Sequence, residues 1–348
     1  NHYLSPVSRP LTTTTNTSDI AKRVLLAVIC AVVLALPWLV GPYSLQLFIL
    51  TMTYGMLGLS FAFTIRVGLP RFDSAAWWGV GAYTTAILMT KADMSFWLTV
   101  PIAGLVSVAV GYIFYRIAIP RGMMVFLMFG LVIALAIQQL FGSVDFFGGW
   151  GGTDVIKPPA IGGLVFDGKR ELYYLGLCFL VVNLVCYYAL MHSRIGRSWN
   201  AIGQSLKLAT SVGIDVVRYR TANVLISNFF LALAGSFYMA FSLVAVPATF
   251  GLHKSLNVIM YVVIGGIAYS LAGPLVGALI LAFVPEYMRV ASEYESIITA
   301  VVIILVVIFL PGGILGWVNK QAKPWFIKVD WTKLLGRAKK PPGPPGSQ

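Results

Sequence analysis

The chain has 348 residues, of which 58% are hydrophobic and 11% charged, with a mean hydropathy of +0.84. Soluble domains carry about a quarter charged residues and disordered chains reverse this balance, so both classes are excluded. The formal charge is +13, which fits a nucleic-acid ligand or a membrane flank equally well until the charges are placed.

Stretches free of Asp, Glu, Lys and Arg run over 24–65, 74–90, 94–115, 122–144, 172–193, 221–253, 255–285 and 296–319. About 20 apolar residues make one helical span, so the first stretch divides at Gly41-Pro42 and the seventh at its central glycines. The expected fold is an all-α polytopic membrane protein with ten transmembrane helices, at 24–41, 45–65, 74–90, 97–115, 122–141, 172–191, 221–245, 255–269, 274–289 and 296–311. Residues 1–22 form a polar tail with no cleavable signal peptide expected, 23–319 the transmembrane domain, and 320–348 a second tail. The Pro-Pro-Gly repeat makes that second tail partly disordered by composition.

The charges then become an orientation signal. With an inner amino terminus, 19 of the 25 basic residues fall on inner segments: Arg9, Lys22, Arg23, Arg66, Arg71, Arg116, Arg121, Arg194, Arg197, Lys207, Arg218, Arg220 and the seven after Asn319. That is the positive-inside pattern. It puts both termini in the cytoplasm, makes membrane lipid the surrounding partner and leaves no nucleic-acid reading. Cys30, Cys178 and Cys186 sit in apolar runs and give no disulfide framework. His2, His192 and His253 are too scattered for a metal site.

Two short spans stand out. Span two is followed by a Gly68/Pro70 turn and a short span with Gly79 and Gly81; span seven is followed by a Pro247/Gly251 turn and a short span with Gly265 and Gly266. Such segments at matching positions, in opposite orientation, point to an inverted repeat of two halves, with short Gly-rich helices lining a central pathway. The alternative is that the glycines only let helices approach closely. The inner loop 192–220 joins the two halves, and Trp199, Ile202 and Leu206 form one apolar stripe in it. A stripe in a cytoplasmic loop calls for a partner or for the bilayer surface.

Three motifs carry a resemblance: Gly79-Val80-Gly81-Ala82-Tyr83, then Ser193-Arg194-Ile195-Gly196-Arg197-Ser198-Trp199-Asn200-Ala201-Ile202, and Pro285-Glu286-Tyr287-Met288-Arg289 with the later Pro311-Gly312-Gly313-Ile314-Leu315. Over about residues 45–316 the chain resembles the permeases of ABC importers for branched-chain amino acids, the LivM-like family. The resemblance implies a subunit of a heteromeric importer in the bacterial inner membrane. Its implied partners are a second related permease, two ABC ATPase subunits and a periplasmic substrate-binding protein. It also implies a transport subunit rather than an enzyme, with no cofactor of its own and with ATP and Mg on the ATPase subunits. Arg194, Gly196, Arg197, Trp199, Ile202, Leu206 and Gly213 would then belong to the ATPase-coupling helix.

The chain departs from that pattern at Arg71-Phe72-Asp73-Ser74, where the family has a neutral turn, and at Gln204 and Leu206, where acidic residues are usual. The Gly-Gly to Gly-Pro spacing after span eight is one residue longer than usual. Arg71 and Asp73 could pair as an inner gate or meet a polar solute. The preferred reading is structural: Asp73 or Ser74 caps the next helix and Arg71 snorkels to the cytoplasmic surface. Pathway candidates are Tyr54, Arg71, Asp73, Gly79, Gly81, Tyr83, Asn228, Asn257, Tyr261, Gly265 and Gly266, with Thr51, Thr53, Ser60, Asn223, Ser227 and Tyr269 as further polar residues within spans. The outer segment Gly148-Gly149-Trp150-Gly151-Gly152 either meets the binding protein or closes the outer mouth, or is a floppy loop.

The expected function is alternating-access import of a small polar or amino-acid-like solute, with urea, a short amide or a small organic acid as the alternative cargo. A phosphate-binding G-x-x-x-x-G-K-[ST] element is absent, so ATP would be handled by another chain. A secondary transporter is disfavoured by the lack of an intramembrane acidic relay. A membrane-embedded enzyme is disfavoured by the lack of a catalytic cluster.

Overall fold

The computed structural model describes residues 31–154, 158–161, 164–267, 271–288 and 313–321. Helix α1 covers 31–39 and stops before Gly41-Pro42, where a proline with its preset φ opens the next helix. Then follow α2 (Pro42–Arg66), α3 (Ser74–Lys91), α4 (Phe96–Ala118), α5 (Met123–Ser143), α6 (Lys169–His192), α7 (Arg194–Gln204), α8 (Leu206–Ser211), α9 (Val216–Ser242), α10 (Leu252–Gly265), α11 (Ala272–Met288) and α12 (Gly313–Gln321).

Five of these, α2, α4 with its 3-10 extension to Arg121, α5, α6 and α9, are long and apolar enough to cross a membrane. The ten expected spans therefore resolve only in part. Helices α10 and α11 are shorter apolar helices. The 18-residue α3 is buried along most of its length. Much of the first expected span and all of the tenth lie outside the described residues.

Burial separates a centre from a periphery. About 78% of the apolar window of α2 and 67% of that of α9 is buried, against 39%, 33% and 22% for α4, α5 and α6. The outer helices turn Ile113, Leu131 and Val185 outward, as apolar side chains facing lipid should. Helices α2 and α9 run antiparallel: Ser227 Oγ donates to the Ser60 carbonyl at 2.7 Å, and Arg220 Nη2 to the Val67 carbonyl at 3.0 Å. Between them Phe63 stacks on Phe230 with centroids 5.7 Å apart, and α6 adds Tyr187 at 4.4 Å from the same ring.

Span two is apolar on all sides, and its polar residues turn back on their own helix. Thr51, Thr53, Ser60 and Thr64 donate to the carbonyls of Leu47, Ile49, Met56 and Phe61, the usual way a buried hydroxyl is satisfied inside a helix.

At the far end of α9, Leu243 takes a left-handed φ of 56° and ends the helix. Val244 and Ala245 then pair antiparallel with Asp154 and Thr153. The Gly148–Gly152 segment is thereby a built structure and not a floppy loop. Positive φ at Gly148 and Gly149 turns it, Thr153 Oγ1 donates to the Phe147 carbonyl at 2.5 Å, and Lys91 Nζ donates to the Phe146 carbonyl at 2.8 Å.

Candidate functional site

The centre of the molecule is built from two connections, 67–73 between α2 and α3 and 243–251 between α9 and α10. They leave from opposite ends of the antiparallel α2–α9 pair, and each turns back inward. Arg71 donates to Ser227 Oγ, the hydroxyl that reaches Ser60, so its guanidinium lies level with Ser60, about 9 Å up α2 from Arg66. Lys254, in the first turn of α10, donates to Tyr54 Oη at 2.8 Å. Tyr54 is the middle residue of α2, about 18 Å from either end. The two connections meet where the Ala75 amide of α3 donates to Ser255 Oγ of α10 at 3.0 Å.

The capping and snorkelling expected of Asp73 and Arg71 are not what the structure shows. Arg71 is 1% exposed and Asp73 fully buried, so the arginine does not reach the cytoplasmic surface. Asp73 stands at the N-cap position of α3, but its side chain makes no capping bond. Instead Arg71 Nε donates to Asp73 Oδ1 at 2.7 Å, while its terminal nitrogens donate to Ser227 Oγ (3.1 Å), Tyr115 Oη (2.9 Å) and Asn228 Oδ1 (2.8 Å). The other Asp73 oxygen accepts from Trp77 Nε1 at 3.0 Å and from the Tyr115 hydroxyl. A buried charge demands such partners. One ion pair thus ties the 67–73 connection to α3, α4 and α9, and through Ser227 to α2. Its atoms are closed off by protein, so it is a tie between helices and not an open solute contact.

The glycines occupy close approaches. A Cβ on Gly81 would fall on the Ala232 backbone of α9, and one on Gly265 on the Gly273 backbone of α11; Gly79 faces Phe250 and Phe141. Gly266 ends α10 with a φ of 112°. Each of Gly79, Gly81 and Gly265 is thus a position of close approach between helices. Tyr83 is likewise fixed: its hydroxyl donates to the Ala245 carbonyl at 3.0 Å and its ring stacks on Phe141 at 4.1 Å. Asn228 is held by Arg71, and Asn223 is fully buried on the α2-facing side of α9.

What stays partly exposed is Tyr54, Lys254 and Asn257. Tyr54 stacks on the buried Tyr261 with centroids 5.4 Å apart. Tyr269 lies outside the described residues. Among the described residues no group of three His, Cys, Asp or Glu could hold a metal ion.

A family model described as branched-chain amino acid transport system / permease component matches residues 43–307. The chain belongs to that family. It is 27% identical over 334 residues to the high-affinity branched-chain amino acid transport system permease protein LivM of Salmonella typhimurium, covering 88% of this chain and 78% of the relative. The Escherichia coli (strain K12) LivM is 26% identical over the same shares. The Salmonella typhimurium permease protein LivH is 25% identical over 290 residues, 76% of this chain and 91% of the relative. No solved structure matches the chain significantly. The protein is thus a helical membrane permease of the ABC-transporter type.

In this permease the loop 192–220 folds largely as α7 and α8. The expected stripe is divided between them. Trp199 and Ile202 are buried, with Trp199 Nε1 donating to the Tyr219 carbonyl at 2.9 Å and its ring edge-on to Phe63. Their partner is this chain's own α2 and α9. Ser205 breaks the helix, its hydroxyl accepting from the Leu208 amide that opens α8, and Leu206 is 43% exposed. Gly196 sits against the carbonyls of Leu190 and Met191, Gly213 turns into α9 at a φ of 81°, and Arg194 and Arg197 are exposed.

Proposed function

We propose that the chain is the permease subunit of an ATP-driven importer, passing a small polar or amino-acid-like solute from a periplasmic binding protein to the cytoplasm by alternating access. A second related permease completes the pathway, and two ATPase subunits carry ATP and Mg on the cytoplasmic side; this chain binds neither and catalyses no reaction. It lies in the bacterial inner membrane with both termini cytoplasmic. Its similarity to both a LivM and a LivH permease supports the pairing of two permeases. The meeting of the two inward-turned connections at Ala75 and Ser255 supports an organisation in two inverted halves. Urea, a short amide or a small organic acid remain as alternative cargo.

The observation that carries the coupling role is the division within the inner loop. Trp199 and Ile202 fasten α7 to α2 and α9, whereas Leu206, Leu208 and Val212 stand exposed on α8 and the turn after it. A rigid anchor with an apolar outer face is what a lever pushed by an ATPase needs, because a push on α8 passes through Trp199 to the central helices. The test is co-purification with the ATPase subunits. Leu208→Glu with Val212→Glu is expected to abolish it while leaving the permease folded. Retained binding and ATP-driven uptake in that variant would remove α8 from the contact.

A further inference from the structure

Each inward-turned connection leads to one cation at the centre of the molecule, Arg71 within the first and Lys254 in the first turn of the helix after the second, and the two cations are treated differently. Arg71 is neutralised by Asp73 and every part of its guanidinium head is in contact with a polar partner. Lys254 has no carboxylate within ion-pairing distance among the described residues; its neighbours are the Tyr54 hydroxyl at 2.8 Å and the Tyr54 ring, 4.4 Å from Nζ to the centroid. An ammonium offers three donors, and a hydroxyl with a ring face supplies far less than a carboxylate. A cation held at the depth of the middle of a membrane-spanning helix without an anionic partner is costly, and such residues mark solute paths. Lys254 and Tyr54 are both partly exposed, whereas Arg71 is buried.

We infer that Lys254 is a specificity-determining residue of the translocation path, receiving the carboxylate of the solute against the Tyr54–Tyr261 pair. This rests on the importer reading above and narrows its cargo. The solute carries an anionic group, which the ammonium takes with the Tyr54 hydroxyl beside it, and a compact apolar part, which the partly exposed Tyr54 ring accepts. Urea and neutral amides supply no charge to Lys254. Placement next to Ser255, where α10 meets α3, puts the contact at the junction of the two inward-turned connections.

The experiment is ATP-dependent uptake by the complete transporter, with leucine, isovalerate, urea and acetamide as labelled probes, for the parent, Lys254→Met and Lys254→Arg. The expected result is carboxylate uptake by the parent, a rise in KM of about tenfold or more in Lys254→Met, and substantial recovery in Lys254→Arg. The amount of assembled complex should be equal in all three. A purely structural lysine would change that amount and leave KM in place. Parental KM in a well-assembled Lys254→Met transporter overturns the inference, and so does a parent that takes up urea or acetamide but neither carboxylate; both leave the importer reading standing. A parent that accumulates none of the four with its ATPases working removes the importer reading and this inference together. If Lys254→Met does not assemble, Tyr54→Phe, which keeps the ring and removes the hydroxyl beside the ammonium, must raise KM several-fold, and an unchanged KM there overturns the inference.

Discussion

Arg71 and Asn228, 157 residues apart in the chain, are joined by a 2.8 Å bond from the guanidinium to the side-chain carbonyl, with both residues buried. Through it the start of α3 is fixed to the middle of α9. The ion pair is therefore a structural tie at the centre of the permease.

Removing one charge of that tie leaves the other buried and unpaired, at a cost of about 3–5 kcal/mol. Arg71→Ala and Asp73→Ala are each expected to reduce the amount of folded protein in the membrane sharply. The double variant Arg71→Met/Asp73→Leu should lose less than the two single losses combined. Thermal unfolding in detergent reads the difference. Additive losses would show that the two side chains do not act as a pair.

Gly81 is pressed on the Ala232 backbone, which unlike a side chain cannot swing aside. Even Gly81→Ala should separate α3 from α9, with overpacking worth about 1–3 kcal/mol or more. Gly316, which has open space where a Cβ would go, is the control, and its change to Ala should be neutral or slightly stabilising. Fluorescence-detected size exclusion of the two variants checks this.

Trp199 and Leu208 should separate stability from coupling. Trp199→Ala empties a buried site and is expected to cost about 3–5 kcal/mol, seen as a lower unfolding temperature. Leu208→Ser changes a side chain that is 65% exposed and should leave the unfolding temperature within a degree or two of the parent while weakening ATPase binding. A matching fall in both properties for both variants would contradict the division of the loop into anchor and contact.

On the opposite side, deleting Gly148–Gly152 should break the pairing of Thr153 with Ala245 and release the connection that leads to Lys254. Uptake should fall strongly while ATPase binding persists. Normal uptake would show that the segment is not part of the transport machinery.

Sequence showed the class, the family and most helix boundaries, because these rest on long apolar runs and on local motifs. The short helices after each Gly/Pro turn were legible for the same reason. The roles of Arg71 and Asp73 were not. A loop arginine next to an N-cap residue reads as a surface feature, and its partners Tyr115, Ser227 and Asn228 lie on helices distant in sequence. The signal for Lys254 is weaker, a lysine at the start of a short helix right after an apolar turn. Trp199 was legible as part of a stripe, but periodicity does not say whether a stripe faces another protein or this chain's own α2 and α9.

ATP-dependent solute accumulation in proteoliposomes tests the importer reading most directly, with the permease reconstituted alone and together with its partner permease, ATPases and binding protein. Accumulation should require all the subunits and hydrolysable ATP, and should be indifferent to ionophores that collapse the membrane potential. Uptake by the purified chain alone, driven by an ion gradient and independent of ATP, would contradict it.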